Sequence, residues 1–155
     1  MNTVVSTLTQ WNILGSGITE LTIPSNSLND ASLTVLDLTR FRRLKKIVIG
    51  DECFMYVDEV KMIGLSEMES VEIEMNSFTQ HKNDYGNDPN RHFYLKNCPK
   101  LKSLKMGRYS FSDYSVIEIE NVDALEVIGM GELNEESFNF YSASLQLSSV
   151  IVYVE

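Results

Sequence analysis

One spacing of apolar residues recurs along this chain and leaves it few folds to choose from. A first copy reads Leu36-x-Leu38-x-x-Phe41-x-x-Leu44-x-x-Ile47-x-Ile49, then Cys53-Phe54. A second reads Val60-x-Met62-x-x-Leu65-x-x-Met68-x-x-Val71-x-Ile73, then Ser77-Phe78. A third reads Phe93-x-Leu95-x-x-Cys98-x-x-Leu101-x-x-Leu104-x-Met106, then Ser110-Phe111. Each copy closes on a small residue followed by Phe. A repeat of this kind commits a chain to stacking copy on copy, because no single copy can bury its own apolar side. The expected fold is therefore a β-rich repeat solenoid, right-handed, with parallel strands and about five coils.

The repeat extends in both directions. A fourth copy is Ile117-x-Ile119-x-x-Val122-x-x-Leu125-x-x-Ile128-x-Met130, with its Phe displaced to Phe138. A partial fifth is Leu147-x-x-Val150-x-Val152, with Tyr141 in the slot of Leu38. Upstream, Ile18-x-x-Leu21-x-Ile23 leads to Ser27-Leu28. The steps from Leu44 to Met68, Leu101 and Leu125 are 24, 33 and 24 residues. A polar insertion over residues 79–92, with the turn chemistry of Asn87-Asp88-Pro89-Asn90, accounts for the long step. It is expected to be an exposed loop that folding does not need, since long loops cost little to close. Residues 1–155 then read as a single repeat domain: an N-terminal cap over 1–17, in which Trp11 covers the end of the core, and repeats over 18–152.

Within each copy two runs alternate. Ile47-Val48-Ile49, Val71-Glu72-Ile73 and Leu104-Lys105-Met106 form one row, and Leu36-Asp37-Leu38, Val60-Lys61-Met62, Phe93-Tyr94-Leu95 and Ile117-Glu118-Ile119 another. Such alternation is strand periodicity. Nothing in the chain has the sustained spacing of a long amphipathic helix. Between the runs lie turns such as Gly50-Asp51-Glu52 and Gly107-Arg108-Tyr109. Cys53, Ser77 and Ser110 are expected in tight corners, each with its Phe filling the core beneath.

With 43% apolar residues the chain can build a core. No apolar run approaches the ~20 residues of a membrane span, and the N-terminus lacks the pattern of a signal peptide. A cytoplasmic, reducing compartment fits best. Cys53 and Cys98 hold repeat slots, which makes them buried apolar residues in place of a disulfide or a metal pair. The net charge of −9 is uneven: a basic cluster lies at Arg40, Arg42, Arg43, Lys45 and Lys46, and no Lys or Arg follows Arg108. The acidic second half excludes nucleic acid and anionic membrane, whose phosphates need cations.

The phrases Leu101-Lys-Ser-Leu104-Lys-Met106 and Leu44-Lys-Lys-Ile47-Val-Ile49 resemble the leucine-rich repeat, and Asn97-Cys98-Pro99-Lys100-Leu101 is similar to that family's N-C-x-x-L. The Ser-Phe or Cys-Phe after each strand resembles the A-F phrase of the irregular repeats in bacterial and protist surface proteins. The resemblance covers about residues 18–152 and implies a protein-binding solenoid. Two features depart from it. The strand-following Asn has no constant place, and a second strand replaces the family's helix, which implies a flatter coil.

No sequence feature demands catalysis or a cofactor. His81 and His92 lie in the insertion, and with Asp84 or Asp88 they match no metal-ligand spacing. The carboxylate pairs Glu118/Glu120 and Glu72/Glu74 each fall on one strand face, without a pocket signal. A Cys–His nucleophile would need Cys98 outside the core. The function that fits is a non-catalytic protein–protein interaction scaffold. Its expected partner surface is the outward row Thr22, Val48, Glu72, Lys105, Gly129 and Ile151 with flanking Lys46 and Ser103. The alternative is a β-helix-type polysaccharide-active enzyme or a carbohydrate-binding module, for which Tyr94 and Tyr114 are the available sugar platforms. The sequence closes on the β-branched run Leu147-Ser-Ser-Val150-Ile-Val152-Tyr-Val154-Glu155, in which no capping repeat for a stack is read. Either a longer array or a homodimer through this C-terminal edge strand is expected, with Ile151 and Tyr153 covered by the partner.

Overall fold

The computed structural model describes residues 2–80, 88–131, 136–140 and 143–148. Strand β1 (Asn2–Val4) leads into a five-residue helix, α1 (Leu8–Asn12). Ten strands follow: β2 (Glu20–Ile23), β3 (Val35–Asp37), β4 (Lys46–Ile49), β5 (Glu59–Ile63), β6 (Ser70–Ile73), β7 (Asp88–Lys96), β8 (Ser103–Met106), β9 (Tyr114–Glu120), β10 (Val127–Met130) and β11 (Ser144–Ser148). From β2 onward the chain alternates between two sheets. One has six strands in the order β1-β2-β4-β6-β8-β10, the other five in the order β11-β9-β7-β5-β3, and both are parallel throughout.

The repeat slots are the rows of these sheets. Leu21, Ile47, Val71, Leu104 and Ile128 are consecutive Cα partners, and so are Ile23, Ile49, Ile73, Met106 and Met130. In the second sheet Leu36, Val60, Phe93, Ile117 and Leu145 align in the same way. A one-residue slip in any pair would turn all its apolar residues outward, so burial fixes the register. The inward rows bury Ile47, Ile49, Val71, Ile73, Leu104 and Met106, and Leu125 is partly buried against them.

The corners hold a ring ladder. Phe54 stacks on Phe78 at 5.1 Å, Phe78 on Phe111 at 4.6 Å and Phe111 on Phe140 at 4.9 Å, with planes within 14° of parallel. These steps match the ~4.8 Å between neighbouring strands, so each added copy brings one ring into van der Waals contact with the last. Every ring of the ladder sits on left-handed backbone: φ is 55° at Phe54, 58° at Phe78, 61° at Phe111 and 48° at Phe140. That conformation costs a bulky residue on the order of 1 kcal/mol, which full burial of the ring outweighs. The small residue before each Phe also bonds. Ser77 Oγ accepts from Cys53 N–H at 3.1 Å and donates to the Gly50 carbonyl at 2.7 Å. Ser110 Oγ accepts from Ser77 N–H at 3.0 Å and donates to the Glu74 carbonyl.

Several expectations need correction. The ladder continues through Asn139-Phe140 and not through Phe138, which stacks on Tyr109 instead. Asn139 Nδ2 takes over the corner bond to the Gly107 carbonyl at 2.7 Å. The fifth copy is also displaced. Leu145 and Leu147 pair with Ile117 and Ile119, so Leu147 occupies the slot of Leu38; Tyr141 lies outside the described residues. Ile128 and Met130 hold inward slots yet are 40% and 42% exposed, because no described strand lies beyond β10 in its sheet. At the other end the sheet starts within the expected cap, since β1 pairs in register with β2.

The insertion is shorter than the sequence suggests. Residues 88–92 extend β7, Thr79 and Arg91 are buried, and residues 81–87, with His81 and Asp84, lie outside the described residues. Arg91 donates to the carbonyls of Val57 and Met55 at 3.3 and 3.2 Å and lies 3.6 Å from Asp113 Oδ2, itself buried. Thr79 Oγ1 shares a 3.0 Å bond with Ser112 Oγ. A buried ion pair holds only when both partners are present, so the two flanks of the insertion are structural. Asn97 and Asn121 hold equivalent places in two successive copies, where the preceding copy has Gly64. Both follow strands of the second sheet on left-handed backbone, and Asn121 Nδ2 donates to Asn97 Oδ1 at 2.9 Å.

Candidate functional site

The outward row expected from the sequence is a physical row. Thr22, Val48, Glu72, Lys105 and Gly129 are successive Cα partners across the six-stranded sheet, and Glu20, Lys46, Ser70, Ser103 and Val127 form the row beside it. Glu72, Lys105 and Lys46 are exposed; Thr22, Val48 and Ser103 are half-buried. Ile151 and Tyr153 lie outside the described residues, as does the C-terminal run proposed as a dimer edge.

The row ends in a hollow of about 420 Å³ lined by Glu72, Met75, Lys105, Arg108 and Gly129 among others. Glycine opens it. A Cβ at 129 would sit 3.4 Å from Lys105 Cγ, so the absent side chain leaves room for the lysine stem. At Gly107 a Cβ would come within 2.6 Å of the backbone of Glu74 and Met75, so the neighbouring copies approach there as only glycine allows. Arg108 lies over Tyr109 at 4.8 Å and over Phe138 at 5.8 Å, and these two rings stack at 5.2 Å. The hollow thus has a cationic and aromatic rim on one side and exposed Met75 on another, a mixture common where proteins meet.

Charge along this side alternates by copy. Backbone N–H groups of Glu69, Lys102 and Glu126 donate to the carbonyls of Lys45, Glu69 and Lys102, which puts Lys45, Glu69, Lys102 and Glu126 in one row. Beside it, Lys100 Nζ lies 2.8 Å from Glu67 Oε2. That hydrogen bond, followed by the charges of Lys100 and Lys45, holds the Glu67 carboxyl below its ordinary range. Lys45 of the basic cluster is therefore the first member of a series. Arg40 is set apart from it, lying 4.5 Å over the Phe41 ring.

The opposite sheet presents a different surface. His92 Nδ1 shares a 2.7 Å bond with Tyr94 Oη, and Lys96 Nζ reaches Glu118 at 2.9 Å and Glu120 at 3.6 Å. One lysine thus answers both carboxylates, which does not favour acid–base division of labour between them. Glu72 and Glu74 are no such pair, since Glu74 lies beyond the end of β6. Burial, then the Glu118 and Glu59 carboxylates, push the Tyr94 phenol up. Tyr114, the other expected sugar platform, is buried and donates from Oη to the Val57 carbonyl at 2.5 Å. Cys98 is buried too, its thiol raised by desolvation.

No family profile, curated protein or solved structure matches this chain. Among the described residues no helix is long and apolar enough to cross a membrane.

Proposed function

We propose that this chain is a non-catalytic protein–protein interaction scaffold, a right-handed, leucine-rich-repeat-like solenoid of about five coils whose six-stranded sheet carries the recognition face. One observation carries the reading. Thr22, Val48, Glu72, Lys105 and Gly129 are five residue types in one aligned row, flanked by inward rows that stay apolar. A constant core under a varied row lets a surface diverge without cost to folding. The six-stranded sheet supplies the area, and the hollow beside Lys105 and Arg108 supplies a place where a partner side chain can be fully desolvated, the usual setting of a binding hot spot. The test is a photo-crosslinking amino acid at Lys105 and, as control, at Lys61 on the opposite sheet. Adducts in cells of the source organism should form from position 105 and not from 61. Equal yields at both positions, or none at 105, would reject the face.

A second reading, a carbohydrate-binding module or polysaccharide-active enzyme, has a single observation in its favour: half-exposed Tyr94 stands beside Lys96, 5.3 Å from its ring centre, and near Glu118. Affinity electrophoresis through a panel of polysaccharides, with Tyr94→Ala as control, would show retardation that the variant loses. Equal mobility of both proteins rejects this reading.

A further inference from the structure

We propose that the hollow beside β8 takes a carboxylate side chain from a partner protein, held end-on by Arg108 with Lys105 beside it, and that a neighbouring apolar residue of the partner lies against Met75. The inference rests on the six-stranded sheet being the recognition face, and it names what that face selects. Three observations point to this occupant. The first is charge without a counterpart. Lys105 and Arg108 line the hollow, and neither makes an ion pair among the described residues, whereas Lys61, Lys96 and Lys100 do. Lys105 is exposed and unpaired even though Glu72 is its Cα partner on β6.

The second is the posture of Arg108. Its guanidinium lies over the Tyr109 ring at 4.8 Å and near the Phe138 ring at 5.8 Å. Its Nε is buried without a hydrogen bond, while its two Nη groups are not buried. The rings thus hold the plane and leave the Nη fork facing outward. A guanidinium fixed in this way loses little freedom on binding, and its fork matches the two oxygens of a carboxylate. The third is the floor. Gly107, Gly129 and Gly131 all line the hollow, so no side chain keeps a partner away from the two cations. Met75, 47% exposed, supplies the apolar wall. Charge also decides between anions. Glu72 and Glu74 line the same hollow and are exposed. Two cations set against two carboxylates leave no surplus for a dianion such as a phosphorylated side chain. A single carboxylate on the β8 side meets the cations first.

A phage-displayed random heptapeptide library, panned on the full chain at low salt, tests this. Binders should be enriched in Asp or Glu beside an apolar residue. For one such peptide made synthetically, exchanging its acid for the amide should weaken binding about tenfold, as loss of a charged hydrogen-bond partner implies. Arg108→Gln should weaken the acid peptide by a similar factor and leave the amide peptide nearly unchanged. A merely structural role for Arg108 would weaken both alike. Lys105→Gln, at an exposed position, repeats the cycle with a loss of roughly twofold, and added salt should shrink the preference for acid. Binders without acid enrichment, an acid preference that both variants leave intact, or tighter binding of a phosphoserine peptide than of its glutamate form overturns this inference while the recognition face stands. No binder at all, or binders that photo-crosslink from position 61 and not from 105, overturns both.

Discussion

The two ends of the stack start from the same kind of row and finish differently. At the N-terminal end Trp11, carried by α1, lies edge-on to Phe41 at 5.8 Å and to Phe54 at 6.4 Å. Arg40 lies over Trp11 at 5.7 Å and donates to its carbonyl at 3.2 Å. Thr7 and Gln10 close a reciprocal capping box that lets so short a helix persist. At the C-terminal end Leu145 and Leu147 are each 64% exposed in slots whose β9 partners, Ile117 and Ile119, are buried. Residue type is the same at both ends. An apolar slot specifies which way a side chain points; burial needs something on the other side, and among the described residues only one end has it.

If that contrast is physical, substitutions should cost less from the middle and the closed end towards the open one. Phe78→Ala removes a fully buried ring with stacked neighbours on both sides, and should cost about 3–5 kcal/mol in urea unfolding. Phe78→Gly should be no worse than Phe78→Ala. At φ 58° glycine escapes the left-handed strain that alanine keeps, which offsets its entropic handicap. A much worse glycine variant would show that the strain argument fails. Trp11→Ala should cost about 3 kcal/mol, the low end of the range for large aromatic truncation, because the ring has core on one side only. A cost near zero would make the closed end no better closed than the open one.

Much of this architecture was legible. The slots from Leu36 to Met106 became sheet rows because period-two alternation and a fixed repeat length are properties of sequence that sheets inherit directly. What escaped the pattern was of other kinds. Helix α1 is too short to show periodicity, although Thr7-x-x-Gln10 was a readable capping box. The ladder's passage to Phe140 was hidden by an irregular corner whose bond comes from an Asn side chain in place of a Ser hydroxyl. Arg91 was read as part of a polar loop because nothing local distinguishes an arginine bound for Asp113 and two carbonyls from a solvated one. Of the candidate surface, the row itself was legible. The hollow was not, since it depends on glycines at 107 and 129 that come together only when copies stack. The alternating charge row was present in the aligned copies and needed only to be read across them.

Smaller effects refine the contrast. Thr7→Ala removes the hydroxyl that accepts from Gln10 N–H at 3.2 Å and should cost about 1 kcal/mol, felt wholly at the closed end. Ile128→Ala, the same slot chemistry as Leu104 but 40% exposed, should cost less than about 1 kcal/mol, since little surface returns to water. A loss of 3 kcal/mol or more there, within the range for buried large-to-small changes, would mean that β10 is covered in solution and that the open edge does not exist.

The least perturbing comparison uses the two cysteines as they stand. Both side chains are fully buried, and desolvation raises both thiols, so neither offers thiolate to an alkylating agent while its copy stays closed. Cys53 belongs to the copy beneath Trp11 and Phe54; Cys98 belongs to the copy that the half-open β9–β11 layer covers. Stacked copies open from the ends, with free energies that fall where cover is thin. In urea well below the midpoint, mass-resolved alkylation should therefore modify Cys98 before Cys53. A difference of about 1 kcal/mol in opening free energy gives roughly a fivefold difference in rate. Raising the pH should speed both in parallel, because the reactive thiolate grows at both sites while their order is set by opening. Equal rates would mean that the stack opens as one cooperative unit, with the exposed end no weaker than the closed one. If Cys53 reacted first, the cap built on Trp11 would be the softer end, and the contrast drawn from burial would be reversed.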